Sequence, residues 1–149
     1  MDEPDSPAGL KARALRHLVR REHSRTELAR KLAPHAESPE AVQRLLDELA
    51  AKKQLSDERY AQERARSLAR KFGAARIRQD LKAKGIDRQV IDAISSGDEL
   101  ERARAILKRK YREPASGREE LARRARFLQG RGFSMEVIGR LLRGSEEIL

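Results

Sequence analysis

The feature that most limits what this chain can fold into is an internal echo. Leu28, Leu32, Ser38, Val42 and Leu45 return at Ile77, Leu81, Asp87, Ile91 and Ile94, an offset of 49 residues. The pattern returns again at Leu128, Gly132, Phe133, Ser134, Ile138 and Leu141, which follow Leu81, Gly85, Ile86, Asp87, Ile91 and Ile94 by 47 residues. What repeats is an apolar skeleton with a polar helix-starting residue at one fixed place: Ser38, Asp87, then Ser134. A period of about fifty residues marks stacked supersecondary units, which predicts an elongated array working through an extended surface.

Each copy reads as three short helices. In the first, Leu10, Ala14 and Leu18 recur at helical spacing. Ser24 with Glu27 predicts a capping box ahead of Leu28 and Leu32, and Ser38-Pro39 opens a third helix carrying Val42, Leu45, Leu46 and Leu49. The second copy starts at Ser56-Asp57-Glu58, where acids meet the positive end of the helix dipole. It continues through Ala61, Ala65, Leu68 and Phe72, then Ile77 and Leu81, with Gly85 as a left-handed C-cap and Asp87 starting a short helix with Ile91 and Ile94. The third runs through Leu100, Ala103, Leu107 and Tyr111, then Leu121, Ala125 and Leu128, then Val137, Ile138, Leu141 and Leu142. Its longer linker, EPASGREE, predicts a loop and a capping box from Ser116 to Glu119. No window alternates with period two, so the expected fold is all-α, three tandem three-helix repeats in a curved, elongated array. The expected boundaries are an acidic disordered tail at 1–9, repeats at 10–56, 57–97 and 98–143, and a C-terminal tail at 144–149.

Composition bears on the partner. Of 149 residues 39% are charged and 3% aromatic, and Cys and Trp are absent, so thin aliphatic cores are expected between neighbouring helices. The net charge of +10 is spread evenly: −3 over residues 1–9, then +5, +4 and +4 over 10–56, 57–97 and 98–149. Such a spread suits a partner that is a polyanion or a long acidic groove. The acidic N-terminus does not resemble a signal peptide and no apolar run is long enough to cross a bilayer, so a soluble cytoplasmic protein is expected.

Seats for chemistry are scarce. His17, His23 and His35 have no pairing at metal-ligand spacing, and without Cys no metal site or other cofactor is expected. Asp47-Glu48, Asp57-Glu58 and Glu119-Glu120 are adjacent in sequence, which points them about 100° apart on a helix instead of towards one another. Gly130 and Gly132 follow a helix where a phosphate loop would open one. A non-enzyme is expected. The pair of helices in SRTELARKLAPHAESPEAVQRLLDEL resembles a helix-turn-helix, with Gln43 and Arg44 at the base-reading positions. The same helix pair recurs with Asp92, Ala93, Gly139 and Arg140 there, which favours a repeated packing unit over a sequence-specific reader.

The runs REHSRTEL (21–28), LSDERYA (55–61) and GAARIRQDLKAKGI (73–86), in this order, resemble the RecX family of regulators of the RecA recombinase. The resemblance spans about residues 10–143, more loosely in the third copy, where Arg124 stands at the position of Ile77. Its motif residues include Leu28, Leu32, Tyr60, Ala61, Leu68, Ile77, Leu81, Gly85 and Ile86, read as core and caps. It implies a monomeric cytoplasmic non-enzyme without cofactor that lies in the groove of the RecA filament on single-stranded DNA. There it would restrain filament extension, ATP hydrolysis, strand exchange and co-protease activity. The alternative is a basic helical protein that binds nucleic acid directly, though weakly, through phosphates. For contacts, the basic residues of the central repeat outside its apolar stripes are the candidates: Arg64, Arg70, Lys71, Arg76, Arg78, Lys82 and Lys84, with Arg78 and Lys82 one turn apart on one helix face.

Overall fold

The computed structural model describes residues 3–94 and 97–147. It holds nine α-helices among the described residues: α1 (Pro7–Arg20), α2 (Arg25–Leu32), α3 (Pro39–Ala51), α4 (Asp57–Leu68), α5 (Ala74–Ala83), α6 (Arg88–Ala93), α7 (Glu99–Lys110), α8 (Arg118–Gly130) and α9 (Met135–Glu147), with a 3-10 turn at Ala33–His35 after α2. No strand occurs among the described residues. The three helix triplets follow the three copies of the sequence pattern. Contacts gather the chain into two compact units, residues 1–63 with 82–91 and residues 64–81 with 92–149, so the middle triplet is divided between them.

The first unit is built on caps and leucines. Ser24 accepts from the Glu27 amide at 3.0 Å and Ser38 from the Ala41 amide at 3.1 Å. Only half of the expected capping box at Ser24 forms, because the Glu27 carboxylate turns to Arg21 at 2.6 and 2.9 Å. The chain enters its first helix earlier than the acidic-tail expectation: Ser6 caps α1 by accepting from Gly9, and Pro7 occupies the first turn. Asp5 in turn bonds Arg13 at 2.8 Å. At the other end α9 continues past residue 143 to Glu147. Leu28, Leu32, Leu46 and Leu49 are fully buried in one cluster with Leu10, Ala14 and Val42. Gly85 adopts φ +82, as a left-handed cap requires.

His23 sits at the edge of this core, 1% exposed. Its Nε2 lies 3.0 Å from Lys31 Nζ and its Nδ1 3.0 Å from the Arg21 carbonyl. An ammonium can only donate, so Nε2 is the acceptor and Nδ1 carries the proton. Burial holds the His23 pKa below its usual 6.5, and the charges of Arg21 and Lys31 add to this, against the opposing bond to the Arg21 carbonyl. Glu27, bonded by Arg21, is held down to about 2.

The second unit has its own cluster: Ala103, Ile106, Leu107, Leu128, Phe133, Ile138 and Leu141, from α7, α8, α9 and the turn before α9. The expected box from Ser116 to Glu119 is replaced by another device. Gly117, at φ +135, is the N-cap of α8 without a side-chain bond, and the amide and hydroxyl of Ser116 both donate to Glu120, at 3.0 and 2.7 Å. These two bonds, with Arg124, hold Glu120 down to about 2. Arg124 itself is buried, bonding Glu120 at 2.6 Å and the Glu113 carbonyl at 2.8 Å. An ion pair plus a carbonyl thereby fills the place that Ile77 fills with methyl groups in the copy before.

Two measurements check this account. Leu81 is fully buried, so Leu81→Ala should destabilise the protein by about 2–5 kcal/mol in denaturant unfolding, and an unchanged midpoint would mean that the core register is wrong. Because the His23 pKa is depressed when folded, its contribution is complete above 6.5 and is lost as pH falls through the folded value. In NMR titration its midpoint should lie below 6.5, with Nδ1 protonated at neutral pH, and Lys31→Met should raise that midpoint.

Candidate functional site

The seven basic candidates do not share one environment. Arg64, on α4, is half-buried and grips Asp80 of α5 with two bonds of 2.9 and 3.0 Å. That bidentate pair is a strut within the second unit. Arg78, also on α5, pairs with Asp92, both half exposed. A neighbouring carboxylate offsets much of its charge, so Arg78 presents less positive field than its place on the surface suggests. Lys82, at the end of α5, and Lys84, in the following turn, are exposed. Gln43 and Arg44, the base-reading positions of the helix-turn-helix alternative, are also exposed, and Gln43 Oε1 accepts from Arg25 at 2.9 Å.

Arg70, Lys71 and Arg76 cluster around the turn between α4 and α5, which is bonded to several other segments of the second unit. The Gly73 amide donates to the Arg131 carbonyl at 2.8 Å and the Ala75 amide to the Gly132 carbonyl at 3.2 Å. Arg102 donates to the Phe72 carbonyl at 3.1 Å, Arg109 to the Arg70 carbonyl, and Glu99 accepts from the Ala74 amide at 2.7 Å. Glu99, on α7, thus caps the start of α5. The two turns meet backbone to backbone. A Cβ on Gly73 would fall 2.5 Å from the Gly132 carbonyl oxygen, and one on Gly132, at φ +93, would fall 2.4 Å from Arg76 Cβ. The sequence pattern paired Gly132 with Gly85 as helix caps, and it carried no sign of this crossing.

Arg76 crosses the same junction. Its Nη1 donates to the Gly130 carbonyl at 3.1 Å while its guanidinium lies 4.8 Å from the centre of the Phe72 ring. Sequence reasoning passed over its neighbours Arg131 and Lys110. A readable signal exists, since Phe72, Tyr111 and Phe127 each directly follow a basic residue, Lys71, Lys110 and Arg126. Among the described residues no group of three or more His, Asp or Glu could hold a metal ion, and no helix is long and apolar enough to cross a membrane.

Three consecutive helix triplets with a basic exterior define a tandem three-helix-repeat protein. Comparison with known proteins makes the class particular. Residues 11–49, 56–93 and 97–142 match the sequence profiles of the first, second and third three-helix domains of RecX. A regulatory protein RecX of Leptothrix cholodnii is 47% identical over 137 residues, covering 90% of this chain and 87% of that protein. One from Ralstonia nicotianae is 40% identical over 149 residues, covering 98% and 94%. The crystal structure of RecX from Lactobacillus salivarius shares the fold, with a TM-score of 0.82 at 19% identity over 94% of this chain and 96% of that one. This chain belongs to the RecX family of regulatory proteins.

The junction gives a direct test of the second unit. Gly132→Ala should destabilise it by about 1–3 kcal/mol through backbone strain alone, with the clash against Arg76 added. Gly130, two residues away and with open space around its Cα, serves as control: Gly130→Ala should be neutral or stabilising by up to about 1 kcal/mol. Equal melting temperatures for the two variants would refute the tight crossing.

Proposed function

We propose that this protein regulates the RecA recombinase by binding the RecA nucleoprotein filament and restraining its extension, ATP hydrolysis, strand exchange and co-protease activity. The observation that carries the reading is the match to all three RecX three-helix domains in their order along the chain. The even spread of positive charge over the three repeats supports it. A repeated basic surface suits a partner made of regularly spaced protomers, where contacts that are weak singly add up through effective concentration and favour filament over free monomer. In this reading the protein acts in the cytoplasm, as a monomer, without catalysis, and the repeats at 10–56, 57–97 and 98–143 are its contact-bearing segments.

Of the seven candidates, the exposed cations without a carboxylate partner among the described residues carry the proposal: Lys82 and Lys84 on one unit, and Arg70, Lys71 and Arg76 on the other. Arg64 and Arg78 rank below them because Asp80 and Asp92 already hold their charges. With the cognate recombinase, ATP and single-stranded DNA, the protein should slow filament-dependent ATP hydrolysis at well under one copy per recombinase protomer. Lys82→Glu with Lys84→Glu should weaken this slowing at unchanged helical content. Inhibition undiminished in that double variant would remove these two residues from the interface. No effect of the natural protein at any ratio would overturn the assignment.

A further inference from the structure

The chain has few aromatic rings, and three of them form one strip with cations set between them. Arg76 lies 4.8 Å from the centre of Phe72, and Arg131 lies 5.5 Å from Phe72 and 5.1 Å from Phe127. Lys110 lies 4.6 Å from Phe127 and 5.8 Å from Tyr111, and the last two rings meet edge to face at 6.1 Å. The three rings are half-buried, and Arg76 and Lys110 are exposed. Every member belongs to the second unit.

What marks this strip is that cations without a carboxylate lie on aromatic rings. Several arginines elsewhere are matched to carboxylates: Arg13 to Asp5, Arg21 to Glu27, Arg59 to Glu22, Arg64 to Asp80 and Arg78 to Asp92. Arg76, Arg131 and Lys110 have no carboxylate partner among the described residues; Arg76 bonds only a carbonyl, and all three lie against ring faces. A ring face orients a cation and strips part of its water without neutralising it. The buried Arg124 beneath, 4.4 Å from Tyr111, spends its charge on Glu120 and so serves the scaffold.

We infer that the strip formed by Arg76, Phe72, Arg131, Phe127, Lys110 and Tyr111 binds single-stranded nucleic acid directly, its cations on phosphates and its rings against unstacked bases. Unneutralised cations interleaved with partly exposed rings are the pairing that sequence-tolerant single-strand binders use. An acidic protein surface would use the cations and leave the rings idle, and a duplex keeps its bases stacked away from them. This surface is additional to the filament reading and is tested without recombinase, so neither outcome depends on the other.

The test is fluorescence anisotropy of the full-length protein with a labelled oligothymidylate and with a duplex of equal length, over a range of salt. Lys110→Gln with Arg131→Gln should weaken single-strand binding by about tenfold and flatten the plot of log affinity against log salt by roughly 1.4, the share of two phosphate contacts. Arg16→Gln with Arg30→Gln, the same change of charge at exposed sites of the first unit, should cost under about twofold. Phe127→Leu, which keeps apolar bulk in the cluster beneath, should weaken single-strand binding several-fold and leave duplex binding unchanged. Circular dichroism confirms that each variant is folded, and Lys110→Arg with Arg131→Lys should restore binding. Equal losses in the two glutamine pairs would mean diffuse attraction and overturn the proposal, as would equal loss on duplex and single strand for Phe127→Leu. Unchanged oligonucleotide binding in Lys110→Gln with Arg131→Gln would overturn it as well.

Discussion

The second unit depends on two backbone hydrogen bonds, from Gly73 and Ala75 to the carbonyls of Arg131 and Gly132. They join turns almost sixty residues apart in the chain, and they do so at a distance that leaves no room for a side chain on either glycine. A contact of this kind fixes both turns at once. Once α5 starts where the crossing puts it, Glu99 can cap it, Arg102 and Arg109 can reach the carbonyls of the turn before it, and Arg76 can lie across to Gly130. The ring strip follows from the same placement, because Phe72 and Arg131 flank the crossing on its two strands of chain and meet at 5.5 Å.

Where structure was written into local chemistry, the sequence was legible. Ser24, Ser38 and Gly85 behave as their positions demand, since a cap or a left-handed turn involves only residues a few places away. The leucine stripes of α2 and α3 are the buried ones for the same reason. Ser6-Pro7 carries the same start signal as Ser38-Pro39 and was hidden only by the acids around it. The family motifs pointed to RecX, and the comparisons bear that reading out.

What the pattern could not carry was side-chain reach and distant backbone pairing. Arg64 and Arg78 stand outside the apolar stripes, as contact residues should, yet Asp80 and Asp92 lie close enough to take their charge. Ser116 precedes a helix with an acid three residues on, and still the carboxylate it meets is the fourth, because Arg124 draws Glu120 inward. Arg124 replaces an aliphatic residue of the pattern, which reads as a broken repeat although its Nη2 bonds Glu120 and the Glu113 carbonyl. The Gly73 crossing is made by main-chain atoms, and amide groups are the same in every residue.

The division of the middle triplet has a consequence for how this chain comes into being. Residues 82–91 complete the first unit and residues 64–81 belong to the second, so neither unit is one continuous stretch of polypeptide. On the ribosome the first unit cannot close until residue 91 has left the exit tunnel, and by then residues 64–81 are already out and waiting for partners not yet made. Ideal solenoids can lose or gain a repeat because each touches only its neighbours through similar seams. Here the loss of any one triplet would break into a unit shared with another. Removing or adding a triplet would therefore cut into a compact unit in every case.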